Sequence, residues 1–173
     1  MRRHLPRREL VHESMKKQAV LFLCTANAAR SQMAEALLRH RAGYRFDAYS
    51  AGLAPSVVHP MTIDVLQELG LDTSGLRSKG AEEFLGRVRF HCAIAVCDKA
   101  ARSCPTLHPF ALQTLHWPFE DPAAFHGTEN ERLAKFREVR DRIDRRIRAW
   151  VSELPPQERA GTWLRLEPRR GLP

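Results

Sequence analysis

Apolar and polar positions change period several times along this chain. Ala19–Cys24 is a nearly continuous apolar run, the pattern of a strand covered on both faces. Small and polar residues follow. From Ser31 to Arg41 the period becomes helical, with Met33, Ala34, Leu37 and Leu38 on one face and Gly43 just past the end. Phe46–Ser50 reads as a second strand running into Ala51-Gly52. Pro60–Leu69 reads as a helix with Ile63, Leu66 and Leu69 inward and Gly70 as its stop. A short helix is predicted over Ala81–Leu85, a third strand over Cys92–Cys97 and a weaker fourth over Leu112–His116. Thr128–Glu153 is a long closing helix. Thr128 and Glu131 form its capping box, and Leu133, Phe136, Val139, Ile143, Ile147 and Trp150 form its apolar stripe. That stripe is core and implies no cofactor. Pro155-Pro156 ends it. Strand–helix alternation with right-handed crossovers predicts an α/β fold of three layers, a four-stranded parallel sheet flanked by helices. Ligands in such sheets bind at the carboxyl ends of the strands. Cys24, Ser50 and Cys97 each end a predicted strand, so one rim can gather them.

The first strand, the loop and the helix after it carry the most chemistry. Thr25, Ala26, Asn27, Ala28 and Ala29 form a tight connection that aims successive backbone N–H groups into one concavity, and the helix N-terminus adds positive potential there. That concavity suits a tetrahedral oxyanion. Cys24 stands at its base, where the same field favours the thiolate. Arg30 can fold back and grip two oxygens in a bidentate fork. The bland alternative is a buried strand-end cysteine and a solvated helix arginine. A lone Cys-x5-Arg favours that alternative; the preceding strand, the following helix and Ser31 turn the odds toward function.

Charge changes the picture less than its total suggests. The 173 residues have a formal charge of +8. Residues 1–17 carry six Arg or Lys and two Glu, and residues 155–173 carry four Arg and two Glu, leaving only +2 on 18–154. The excess lies in the ends, which read as disordered, solvated tails around a single catalytic domain over 18–154. No nucleic-acid footprint is expected. Met15, followed by Lys16 and Lys17, is a second candidate start. No stretch approaches the roughly 18 apolar residues of a membrane span, and no export signal is visible. Four cysteines are too few for a disulfide-scaffolded domain, and a cytoplasmic location is expected.

Cys97 and Cys104 are separated by six residues, Asp98 to Ser103. One reading is a redox pair, brought by a mobile loop within the roughly 4.4–6.8 Å Cα separation of a disulfide. A second is two unrelated thiols. A metal site is a third, disfavoured because His91, His108 and His116 fall into no convincing ligand spacing. The spacing alone is weak and gains weight beside a phosphate-type loop. Cys92 alternates within its strand and reads as packing. Asp121, locked before Pro122, is the candidate acid for a leaving oxygen. Its competitors are Glu120 and a plain Asp-Pro turn.

Together these residues resemble a known family. Cys24-Thr25-Ala26-Asn27-Ala28-Ala29-Arg30-Ser31-Gln32-Met33-Ala34-Glu35 is similar to the active-site signature of arsenate reductases built on the low-molecular-weight protein tyrosine phosphatase fold, and Arg30 to Glu35 together with the Cys97-to-Cys104-Pro105 segment resembles the thioredoxin-coupled reductases more than the phosphatases. The similarity continues through Tyr49-Ser50-Ala51-Gly52, Cys97 to Cys104-Pro105, His116 to Pro122 and Phe136 to Asp141, and covers about residues 18–152. The resemblance implies a three-cysteine relay. Cys24 attacks arsenate while Asp121 protonates the departing oxygen. Cys97 then attacks the arseno-cysteine sulfur, and Cys104 attacks Cys97, leaving a Cys97–Cys104 disulfide for thioredoxin. It also implies a left-handed Asn27 bracing the loop through Ser50, and Ser31 donating to Cys24. Lys79 stands where some relatives carry an acidic residue that binds potassium, so its ammonium is expected to replace that ion and no metal is expected.

Three departures matter. Ala26 stands at a customary glycine, which strains the loop if that position needs a glycine-like conformation. Ala29 replaces a frequent cysteine and leaves the relay untouched. Asp121-Pro122-Ala123-Ala124-Phe125 lacks the tyrosine pair with which phosphatases grip aryl phosphates. An aryl or tyrosine phosphatase is the runner-up function, and a non-catalytic oxyanion sensor is the third.

Overall fold

In the computed structural model, which describes residues 17–84, 86–103 and 111–155, the two ends singled out by composition fall almost wholly outside the described residues, as do Leu85, Cys104 and Pro156. The elements run β1 (Gln18–Cys24), α1 (Arg30–Ala42), β2 (Phe46–Gly52), α2 (Pro60–Gln67), a 3-10 turn (Ala81–Phe84), β3 (Phe90–Ala95), α3 (Asp98–Ser103), β4 (Ala111–His116), a second 3-10 turn (Pro122–Ala124) and α4 (Glu129–Glu153). The four strands form one parallel sheet in the order β2-β1-β3-β4. β1 lies at its centre, which is why Val20, Phe22 and Leu23 are fully buried and its sequence does not alternate. The α/β fold is therefore the one the hydrophobic pattern implies. Among the described residues no helix is long and apolar enough to cross a membrane.

α1 packs on β1, β2 and α4, and α2 packs on α4. Met33, Ala34, Leu37 and Leu38 are fully buried, but so are Ser31 and Gln32, and Glu35 is nearly so. α1 is thus covered on its polar side as well. α4 starts at a complete capping box between Thr128 and Glu131, and five of its six stripe residues are buried, Leu133 only partly. Phe22, Trp117, Trp150 and Phe46 make a continuous aromatic run from the sheet to α4, and Tyr49, Phe84 and Phe90 make a second, edge-to-face cluster.

Three elements differ from the sequence expectation. The inward face of α2 is Met61, Thr62, Val65 and Leu66, with Ile63 half-buried and Leu69 exposed. His59 and Pro60 fix where the helix begins and its last helical residue is Gln67, so Leu69 falls in the turn that Gly70 completes at φ +71°, and Leu71 is the residue that returns to the core. β3 begins at Phe90 and ends at Ala95, because Phe90 pairs with Ala111 and packs on Tyr49 and Phe84. Cys97 therefore lies beyond the strand, and Ser50 lies inside β2 opposite Phe22. The segment Asp98–Ser103, read from sequence as a mobile loop, is a short helix whose Ala100 is fully buried.

Candidate active site

The loop from Cys24 to Arg30 is laced to the strand exit beside it. Leu53 N–H donates to Cys24 O (3.1 Å), Ala54 N–H to Thr25 O (2.8 Å), Ser56 N–H to Ala26 O (3.1 Å) and His59 N–H to Ala28 O (2.9 Å). The Ser78 hydroxyl also donates to Ala26 O at 2.9 Å, and the Thr62 hydroxyl to Ala28 O at 3.0 Å. With its carbonyls engaged on that side, the loop is left with its amides for the concave one. Gly52 permits the lacing. A Cβ there would stand 2.8 Å from Asn27 N and Thr25 O and 2.9 Å from Ala26 C, all backbone atoms that cannot step aside.

Asn27 is the turning point of the loop. It is the one non-glycine residue with positive φ among the described residues, at φ 50°. The strain considered for Ala26 is absent, because the left-handed step falls one residue later, on a residue type that tolerates it. Every polar group of Asn27 is used. Its N–H donates to Cys24 Sγ (3.2 Å), and its side-chain amide donates to Ser31 Oγ (2.8 Å) and Ser50 Oγ (2.9 Å). Its Oδ1 accepts from Lys79 N–H (2.9 Å) and Gln32 Nε2 (2.9 Å), and Gln32 Nε2 also meets Asn27 O at 3.0 Å and Arg77 O at 2.7 Å.

Proton counting then gives the network a direction. Ser50 donates its only hydroxyl proton to Glu35 Oε2, so it can only accept from Asn27. Asn27 turns its second N–H to Ser31, whose own proton is free for Cys24 Sγ, 2.8 Å away. Behind this chain sits a buried charge pair: Lys79 Nζ lies 3.1 Å from Glu35 Oε2, 3.2 Å from Ser50 Oγ and 3.3 Å from Arg77 O. Arg39 pairs with the other Glu35 oxygen. Lys79 is thus an internal cation, held by a carboxylate, a hydroxyl and a carbonyl.

Arg30 and Asp121 meet across the site. Arg30 Nη2 donates to Asp121 Oδ2 at 2.8 Å and Nη1 to Phe119 O at 3.1 Å, so guanidinium and carboxylate are aligned before any ligand enters. The second carboxylate oxygen, Oδ1, caps the Pro122–Ala124 turn by accepting from Ala123 N–H at 3.1 Å. Glu120 points elsewhere and pairs with Lys135 at 2.6 Å. His59 stands at the same edge of the loop, its Nδ1 accepting from Met61 N–H at 3.1 Å and its ring against Phe136. Burial and the nearby Arg132 push its imidazole below the ordinary histidine range, against the opposing pull of Asp121 and Asp64.

Relatives match this chain on both sequence and structure. The model of the low molecular weight phosphotyrosine protein phosphatase family matches residues 19–160. The chain belongs to that family. Among its relatives, an arsenate reductase of Halalkalibacterium halodurans is 38% identical over 137 residues, 79% of this chain and 97% of that protein. A solved arsenate reductase in a phosphate-binding state is 29% identical and superposes with a TM-score of 0.66 over 80% of this chain and 99% of its own. A thioredoxin-dependent arsenate reductase of Corynebacterium glutamicum is 30% identical with a TM-score of 0.57, covering 79% of this chain and 61% of its own.

A second sulfur stands at the rim of this loop. Cys97 is 5% exposed, its Sγ lies 3.7 Å from the hydroxyl of Thr25, the residue after Cys24, and accepts from Ala100 N–H at 3.4 Å. Two nucleophile-capable sulfurs therefore border the same loop residue. Cys104 lies outside the described residues, and Cys92 is fully buried within β3. Sequence reasoning assigned nothing to Gln32 and Glu35. The available signal was two polar side chains spaced i, i+3 among the apolar residues of α1, with Ser31 one turn before Glu35.

Proposed function

We propose that this chain reduces arsenate to arsenite with thiols as the electron source. The Cys24 thiolate attacks arsenic, and one arsenate oxygen departs as water after taking a proton from Asp121. Arg30 and the loop amides hold the remaining oxygens. Cys97 then attacks the Cys24 sulfur. An S–S bond forms, the S–As bond breaks, and its electron pair passes to arsenic, which leaves as arsenite. Cys104 attacks Cys97 and releases Cys24, and the Cys97–Cys104 disulfide is reduced by thioredoxin. Thr25 through Ala29 bind oxyanion, while Ser31, Ser50 and Lys79 support the loop. A thioredoxin partner implies a reducing, cytoplasmic setting.

The observation that carries this reading is the approach of the Cys97 sulfur to Thr25, which hydrolysis does not require. Ester hydrolysis needs only Cys24, Arg30 and Asp121, so phosphatase activity on aryl phosphates is the competing reading. Turnover of arsenate with thioredoxin, thioredoxin reductase and NADPH, beside hydrolysis of an aryl phosphate, separates them. Cys97→Ser should abolish arsenate turnover and spare hydrolysis. Cys104→Ser should stop after one turnover and trap Cys24–Cys97, seen by mass spectrometry of a digest. Undiminished arsenate reduction in both variants would leave the relay without support.

A further inference from the structure

α3 carries Cys97 at its N-terminal boundary, and the helix is held lightly. Its backbone approach is fixed by Val96 N–H to Leu23 O (2.8 Å), and Trp117 and Phe119 donate back to Ala95 O (2.8 Å) and Val96 O (3.2 Å). These backbone ties lie at and before the Cys97 boundary. Of the helix residues, Ala100 is fully buried and Ala101 half-buried, so the apolar anchor is two small side chains. The first turn is capped by Cys97 itself, through its sulfur to Ala100 N–H and its carbonyl to Ala101 N–H at 3.0 Å. A side-chain contact reaches across to the sheet: Asp98 Oδ1 lies 3.2 Å from His116 Nε2, joining the first residue of α3 to the last of β4.

We infer that Asp98 and His116 are positioning residues that hold the first turn of α3 while the Cys97 sulfur leaves its cap to react. This rests on the relay proposed above. Once that sulfur bonds to another, Ala100 N–H loses its acceptor, and Asp98–His116 is a contact from the first turn to the sheet that the reaction does not consume. The pair touches neither Cys24, Arg30 nor Asp121, so it acts on the second chemical step and not on the first.

The test reads the first and second steps separately. Reduced wild type and the Asp98→Ala, His116→Gln and double variants are alkylated with iodoacetamide in saturating phosphate, and labelling at Cys97 is followed by peptide mass spectrometry. Each single variant should label about two- to fivefold faster, the range open to an exposed pair of polar side chains. The double variant should match either single, because the two residues act through each other. His116→Lys, which sets a permanent cation beside Asp98, should label like wild type. Aryl phosphate hydrolysis should be unchanged throughout, and arsenate turnover should fall in the variants that label faster. Unchanged Cys97 labelling, additive effects in the double variant, or an equal loss of hydrolysis would overturn the inference. Absence of arsenate turnover in the wild type would sink the reductase reading alone, since the labelling arm needs no arsenate.

Discussion

At the scale of single residues, two neighbouring carboxylates are separated by what already holds them. Asp121 is aligned on Arg30, whereas Glu120 is taken by Lys135. Asp121→Asn should therefore lower turnover by about 10²–10⁴-fold with phosphate affinity nearly intact, and Glu120→Gln should leave steady-state rates close to wild type. A larger loss in Glu120→Gln would reverse the assignment. Lys79 and Glu35 pose a question of charge balance. Both are nearly buried, so Lys79→Met strands a carboxylate whose remaining cation, Arg39, is half in solvent. Removing one member of a buried pair costs roughly 3–5 kcal/mol, and with Arg39 still present the lower end is expected. Urea unfolding should show that loss for Lys79→Met and a substantial recovery in the Glu35→Gln/Lys79→Met double variant.

At the scale of elements, the β1–loop–α1 unit was legible because all its signals are local: a buried run, small residues, a clamp arginine and a helical period within a single stretch of chain. Its backing was less so. Gly52 was visible only as part of a motif, and its need for a missing side chain arises from two backbones meeting, which no periodicity records. Gly52→Ala should push the loop outward, cost about 1–3 kcal/mol in stability, and weaken phosphate protection of Cys24 against alkylation by more than it lowers the melting temperature. Intact protection would mean the loop keeps its shape without the lacing. α2 and α3 were among the elements the sequence misplaced. In α2 the register is set by capping at His59 and Pro60, and a shift of a single residue turns a different side to the core. α3 has two alanines as its inward residues, too weak an apolar signal to separate a helix from a loop.

At the scale of the whole molecule, the site is assembled from segments far apart in sequence: the Cys24–Ser31 loop, Ser50 and Gly52, Lys79, Cys97 and the Phe119–Asp121 stretch. A parallel sheet brings such segments together only when its crossovers close, and non-local pairing of this kind is slow. Refolding should show phosphate protection of Cys24 in the same kinetic phase that buries Trp117 beside Trp150, followed by fluorescence in a Trp163→Phe variant. Protection arising in an earlier phase would show that the loop binds anions unaided. The order of synthesis sharpens the point. A ribosome delivers Cys24 and Arg30 early, and Phe119 and Asp121, which align the guanidinium in the finished fold, nearly a hundred residues later. Incomplete chains carry Cys24 and Arg30 before the residues that align the guanidinium exist, so on the proposed reading the site is readied only when the fold is completed.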